Sequence, residues 1–337
     1  MRTDAEWILS AQLPDGAITT GSGRTAIWPY LGNYAAMGLA RAAQLTGTTA
    51  YADAAWKWLA WYQAHQDASG FVTDYTVGGD GEVSTGAMDS TDAYAGTFLI
   101  AARAAWLATH DRGALRTLGA GIAAAVKAIE ATQTSDGLTW AKPGFHIKYL
   151  LDQAEAYAGL RAAATLAGAT GAGALSQRAM LDAARMRNGV AGLWNPAVGA
   201  YSWARGENGA ATPAQWSVLY PDAVAQAWSV AFGLARGARA ARLMRHFAAA
   251  QPQWDEPTAR GRFRPAPQRV GYWPVVGWAF AAVGNGGLGT AASAKIEAAA
   301  EKVGRDWPFT TADAGELILL GDANDRLGPI LRPVGSH

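Results

Sequence analysis

Three short stretches carry carboxylates in patterns that could do acid–base chemistry. Met88-Asp89-Ser-Thr-Asp92 offers two aspartates three residues apart. Phe145-His146-Ile-Lys148-Tyr149-Leu-Leu-Asp152-Gln-Ala-Glu155 puts a lysine, an aspartate and a glutamate at steps of four and three. Tyr220-Pro-Asp222 places an acid directly after a proline. Residues three and four apart share a helix face, so Lys148, Asp152 and Glu155 are expected to form one polar stripe, with Tyr149 at its edge. Two carboxyl groups flanking a bond are what cleavage of a glycosidic linkage requires. One protonates the leaving oxygen while the other activates water or attacks the anomeric carbon. Asp89 or Asp92, with Asp152, are the candidate pair, and Asp222 is held in reserve.

Each cluster also has a purely structural explanation. Aspartates at the start of a helix cap it, in the manner of a capping box. Lys148 and Asp152 would order a helix as a buried ion pair. Proline at a first helical position with an acid beside it is an ordinary helix start. His146 alone reads as a turn histidine or, with Tyr149, as a base.

Fifteen tryptophans, roughly three times ordinary usage, supply the other half of the chemistry. Trp28, Tyr30, Trp194, Trp203, Tyr220 and Trp273 fall in loops or at helix starts, together with Trp216, Tyr272 and Trp307. Flat apolar rings match the C–H faces of sugars, and their polar edges hydrogen-bond. Trp28, Tyr30, His146, Lys148, Tyr149, Glu155, Trp194, Trp203, Tyr220 and Trp273 are therefore the candidate substrate contacts. Arg262, Arg264 and Arg269 add a basic loop that suits a carboxylated sugar.

The elements that position these residues follow from a repeat. Gln12-x-x-x-Gly16, Gln66-x-x-x-Gly70 and Gln133-x-x-x-Gly137 share one form. Asn188-x-x-x-Gly192 continues it and Gln251 opens a degenerate copy, at intervals of roughly 55 to 65 residues. Each copy ends a helical stretch, where glycine supplies the turn. Every interval holds one helix that is apolar nearly all round and one that is amphipathic, as in Leu115, Leu118, Ile122, Val126 and Ile129. The first kind is buried and the second half-exposed.

Inner helices are predicted to begin near residues 26, 89, 146, 221, 273 and 309. Outer helices are predicted over 3–12, 49–66, 112–132, 171–187, 238–249 and 290–303. The N-terminal outer helix pairs with the C-terminal inner one. The expected fold is all-α, an (α/α)6 barrel in one domain over 1–337. Loops 67–88, 188–219 and 250–271 are long and should form short β-hairpins at one mouth, where binding residues gather. Gly284 to Gly289 reads as a hairpin turn.

This alternation with glycine-rich turns resembles the six-hairpin glycosidase superfamily, (α/α)6 enzymes that act on saccharides. The positions of Asp89 or Asp92 and of Asp152 resemble the two-aspartate layout of the unsaturated glucuronyl and rhamnogalacturonyl hydrolases. The resemblance implies a hydrolase of oligo- or polysaccharides. The first inner helix, Ala26 to Gly32, lacks the acid of the family-eight cellulases. A second resemblance, of Trp7-Ile-x-x-x-Gln12 and Trp61-Tyr-x-x-x-Gln66 to triterpene cyclase repeats, extends to helix ends only, because the Asp-x-Asp-Asp motif is replaced by Asp89-Ser-Thr-Asp92.

Composition narrows the alternatives. Charged residues are 16% of the 337 and the net charge is +1, so no basic face for nucleic acid is expected. No apolar run reaches membrane-spanning length. There is no cysteine, and the five histidines have no ligand spacing. No cofactor, metal, nucleic acid or membrane partner is expected. The N-terminus reads as amphipathic helix without a signal peptide, which fits a cytoplasmic protein or an exported one with its signal removed. The runner-up functions are a polysaccharide lyase, with His146 or Tyr149 as base and Lys148 or an arginine steadying a uronate, and a non-catalytic carbohydrate-binding protein.

Overall fold

The computed structural model describes residues 1–256 and 271–321. Six helices form an inner ring: α2 (Pro29–Thr46), α4 (Thr91–Thr109), α7 (Leu150–Thr170), α9 (Asp222–Ala231), α11 (Pro274–Ala282) and α13 (Thr311–Gly321). Each packs on the next, and α13 packs back on α2 to close the ring. The outer layer is α1 (Arg2–Ser10), α3 (Thr49–Ala64), α5 (Arg112–Thr117) with α6 (Gly119–Thr132), α8 (Gly173–Ala191), α10 (Gly237–Ala250) and α12 (Gly286–Lys302). This is the (α/α)6 toroid that the alternation of helix types implies.

Burial follows that alternation. Every residue of α4 from Thr91 to Ala105 is buried. In α8 only Ala179, Asp182, Ala183, Met186 and Val190 are, a single stripe at steps of three and four. The inner helices approach closely because glycines face glycines. A Cβ on Gly38 would lie 2.4 Å from the Gly315 Cα, and one on Gly159 would lie 2.5 Å from the Gly96 Cα. The seam is held by α1 and α13. Arg305 bonds both Asp4 and Glu297, and the Trp7 ring packs on Phe309.

The Gln-x-x-x-Gly repeat has a mechanical role. Gln12 Nε2 donates to Gly16 O and to Ala54 O of α3, at 3.0 and 2.9 Å. Gln133 Nε2 does the same to Gly137 O and Asp182 O of α8, and Gln66 reaches Gly121 O of α6. Each glutamine staples the end of one outer helix to the backbone of the next. The glycines turn with φ of 106, 84 and 85° at Gly16, Gly70 and Gly137, pressed against the backbones of Lys57, Ala124 and Arg185. A side chain fits neither that φ nor that space. The fourth copy departs, since Gly192 is right-handed at φ −73°.

The loops leading into inner helices carry the strands. β1 (Ala26–Ile27), β2 (Tyr75–Gly78) and β3 (Gly81–Ser84) make one antiparallel sheet. β4 (Ile147–Tyr149), β7 (Ala204–Gly206) and β8 (Ala211–Thr212) make another, and β5 (Trp194–Asn195) pairs with β6 (Ala200–Tyr201). All lie at one mouth.

Several boundaries differ from the sequence reading. The third outer helix breaks at Leu118 into α5 and α6. The third inner helix starts at Leu150 because residues 147–149 pair with β7. Gly286 to Gly289 form the first turn of α12 and not a hairpin turn. Most of the 250–271 loop, with Arg262, Arg264 and Arg269, lies outside the described residues. No helix among those described is long and apolar enough to cross a membrane.

Candidate active site

The starts of α4 and α7 bring their acids to one place. Ser90, not Asp89, caps α4; its Oγ accepts from Ala93 N at 3.2 Å and donates to Asp92 Oδ1 at 3.0 Å. Asp89 is thereby released from capping and lies exposed at the mouth, where its backbone N–H donates to the Tyr94 hydroxyl. Asp152, in the first turn of α7, is half-buried. Its Oδ2 is shielded from solvent and has no hydrogen-bond partner among the described residues. Burial and the neighbouring charges of Asp92, Glu155 and Asp89 push its carboxyl well above the usual range, which favours its protonated form.

Asp89 and Asp152 line one cavity of about 340 Å³ with Lys142, Phe145, Tyr149, Trp203 and Tyr220. Tyr149 stacks on Trp203, with ring centroids 5.9 Å apart and planes 9° from parallel. Tyr220 stacks on Trp273 at 5.1 Å, and the buried Trp273 Nε1 has no partner among the described residues. The cavity thus has an acid floor, two aromatic walls and unsatisfied polar atoms at or beside it, the composition of a site that orients a polar ligand with an apolar face.

One turn below Asp152, Glu155 is buried at 1% exposure. Its Oε1 accepts from Tyr30 at 2.7 Å, from Tyr34 and from Trp228 Nε1 at 3.0 Å. Burial outweighs these bonds and raises Glu155 to about 7. Tyr30 and Glu155 therefore form a buried network beneath the cavity.

The other candidates are distributed as follows. Asp92 is fully buried; Thr139, Ser90 and the Ala93 N–H hold its two oxygens, and burial raises it to about 7. Asp222 is also fully buried and accepts from Gln215 N at 2.8 Å. Neither lines the cavity. Lys148 does not share a face with Asp152, because it sits on β4; it bonds Asp136 and Thr134 and lies 4.2 Å over the Trp140 ring. His146 pairs with Glu207 at 2.7 Å and leans on Trp140. Trp194 turns to the outer wall, where Arg239 covers its ring at 4.5 Å. Trp28 meets Trp307 edge-on at 6.1 Å.

Two residues escaped the sequence reading. Lys142 lines the cavity and donates to Met88 O at 2.6 Å. Glu316 of α13 is 8% exposed and is pushed well above its usual range by burial, Asp313 and Glu155. A signal was present: Asp313 and Glu316 repeat the i, i+3 spacing of Asp152 and Glu155 on an equally apolar inner helix.

Burial of carboxyls with raised affinity for protons makes the fold pH-sensitive. Asp92, Glu155 and Asp313 all rise to about 7, burial being the first cause in each. Between about pH 4 and 7 the native state therefore binds more protons than the unfolded chain, and stability falls as pH rises. Asp136 acts in the opposite sense. Burial works against its charge, but hydrogen bonds from Lys148 and Thr134 hold it down at about 2, so its contribution is lost only in stronger acid. Thermal melts should give a midpoint several degrees higher near pH 5 than near pH 8.5; equal midpoints would mean that these carboxyls ionise at no cost.

Fold and site together define a helical toroid with an acid-floored, aromatic-walled cleft at its loop-bearing mouth. No family model and no curated protein matches the sequence. Solved structures do. A glycosidase in complex with glucose superposes with a TM-score of 0.67 at 19% identity, covering 98% of this chain and 96% of that one. The GH63 mannosylglycerate hydrolase from Thermus thermophilus, in complex with glucose, gives a TM-score of 0.67 at 14% identity, covering 95% and 98%. The GH78 family rhamnosidase of a Bacillus species gives 0.62 at 12%, covering 96% of this chain and 34% of that one. The chain has the fold of the six-hairpin glycosidases.

Proposed function

We propose that this protein is a glycoside hydrolase that cleaves an oligo- or polysaccharide in the cleft, with Asp152 as proton donor and Asp89 as the second carboxylate. The observation that carries this reading is the pairing of unlike environments in one cavity: the Asp152 Oδ2 is shielded and unpartnered among the described residues, while Asp89 is exposed. Separating the behaviour of two acids by environment is how acid and base roles are assigned in such sites. The Asp152 proton passes to the glycosidic oxygen as its bond to the anomeric carbon breaks. The Asp89 carboxylate takes a proton from the attacking water or attacks that carbon itself. Tyr149 stacked on Trp203, and Tyr220 on Trp273, offer ring faces to the sugar. Asp92 acts as a positioning residue through Ser90, and Glu155 fixes Tyr30 and Tyr34 below.

The lyase reading is weakened at Lys148, which is tied to Asp136, and at His146, which is tied to Glu207. Burial raises the Tyr149 phenol, which disfavours its use as a base. Mass spectrometry of products from a panel of neutral and acidic polysaccharides is the deciding experiment. Fragments that have each gained water are expected. Fragments with an unsaturated end would replace this reading with the lyase, and binding without fragments would leave a carbohydrate-binding protein.

A further inference from the structure

On the outer wall, away from the cleft, one cavity of about 250 Å³ lies between α8 and α10 and another of about 300 Å³ between α10 and Trp194, and the two share Arg239. Four arginines line them: Arg187 from α8, Arg236 at the N-cap of α10, and Arg239 and Arg242 at successive steps of three along α10. Among the described residues no carboxylate lines either cavity and none is ion-paired with any of the four. This is not a consequence of bulk composition, because the chain has 28 basic and 27 acidic residues. Several arginines elsewhere do meet acids, as in Arg178 with Glu130, Arg185 with Asp182, Arg205 with Asp136 and Arg305 with Asp4.

The groove is also preordered. Arg239 lies over the Trp194 ring and donates to the Tyr201 hydroxyl at 3.3 Å. Arg236 donates through Nε to Gly233 O at 2.7 Å and through Nη2 to the Tyr157 hydroxyl at 3.3 Å. Like charges held together without a counter-charge repel, and a compensating ligand removes that conflict.

We propose that this groove is a second binding site, for a carboxylated saccharide. Guanidinium groups take carboxylates in paired hydrogen bonds. The Trp194 and Tyr201 rings add an apolar surface suited to sugar C–H groups, which a bare phosphate or sulfate ion would not use. Cavities of this size hold a monosaccharide unit. The α10 N-terminus lends further positive potential. The site would hold an acidic glycan on the protein while the cleft acts elsewhere, and it does not depend on the cleft being hydrolytic.

The test is calorimetric titration of hexameric oligogalacturonate and of maltohexaose into Asp152→Asn protein, so that neither is cleaved. The same titrations are run with Arg187→Gln and Arg242→Gln added together; both positions are exposed. The acidic oligomer should bind, the neutral one should bind at least about tenfold more weakly, and the double substitution should weaken the acidic oligomer by about tenfold or more. Arg239→Lys, which keeps charge and loses the planar fork, should fall between. The same double substitution with Asp152 intact should leave turnover of a neutral substrate unchanged. Unaltered oligogalacturonate affinity in the double variant would overturn the proposal. So would inorganic phosphate, sulfate or a short DNA oligomer binding this groove in preference to the glycan. Failure of hydrolysis leaves these readouts intact, so the two proposals stand or fall separately.

Discussion

Asp152→Asn is expected to lower kcat by about 10²–10⁴-fold, the range typical of losing a positioned general acid, without unfolding the protein. The amide matches the carboxyl in shape but cannot give up a proton to the leaving oxygen. The substitution is mild for the fold because the site favours the neutral acid there: burial and the charges of Asp92, Glu155 and Asp89 raise its pKa. A neutral group replaces a neutral group. Circular dichroism and the melting midpoint should match wild type while turnover collapses. In the wild type the rate should decline as pH rises through the raised pKa of Asp152, and Asp152→Asn should lack that limb. Full activity in Asp152→Asn would remove Asp152 from the mechanism and move attention to Glu316, another buried acid of the inner ring.

Gly315→Ala should be the more damaging change for the fold, although it adds a single methyl. A Cβ at Gly315 would lie 2.2 Å from Tyr34 O and 2.9 Å from Ala35 Cα. These are backbone atoms of α2, so no flexible side chain can yield. Relief requires α2 and α13 to separate, at a cost of about 3 kcal/mol or more. Gly168→Ala on α7 is the control, since a Cβ there meets nothing within 4 Å; it should be neutral or stabilising by up to about 1 kcal/mol. A Gly315→Ala midpoint equal to wild type would show that the inner ring is looser than its contacts imply. Separation of the two helices also draws Tyr34 and Glu316 apart, so any folded Gly315→Ala protein should lose activity as well.

The toroid was legible because its cause is local and repeated. Helices with no polar face must be buried, and Gln-x-x-x-Gly marks where outer helices end. Both are visible within a short stretch of sequence. The site was legible only as far as it depends on such local rules. Asp89 and Asp152 stand out in the sequence because they fall at inner-helix starts. Lys148 was misassigned because its strand exists only through pairing with Arg205 across a long insertion, and no periodicity within 145–155 records that. Trp194 and Trp203 are equal in sequence terms, yet one turn of hairpin sends the first to Arg239 and the second to the cleft. Glu316 went unseen for a different reason. An acid inside an apolar helix has meaning only when the opposite side of the ring is known, and Glu155 comes from the third hairpin while Glu316 comes from the last.

The seam between α1 and α13 makes the order of events in folding unusual for a helical protein. Five of the six helical hairpins are built from neighbours in sequence and can dock as they emerge from the ribosome. The first outer helix docks early on α2 and α3, through Gln12 at Ala54 O, but its ion-pair partner Arg305 lies 301 residues away from Asp4. Until that segment exists, the ring is an open crescent with the apolar flanks of α2 uncovered on one side. The nascent chain therefore carries an adhesive edge for most of its synthesis, and the last hairpin works as a clasp that both completes the barrel and hides it.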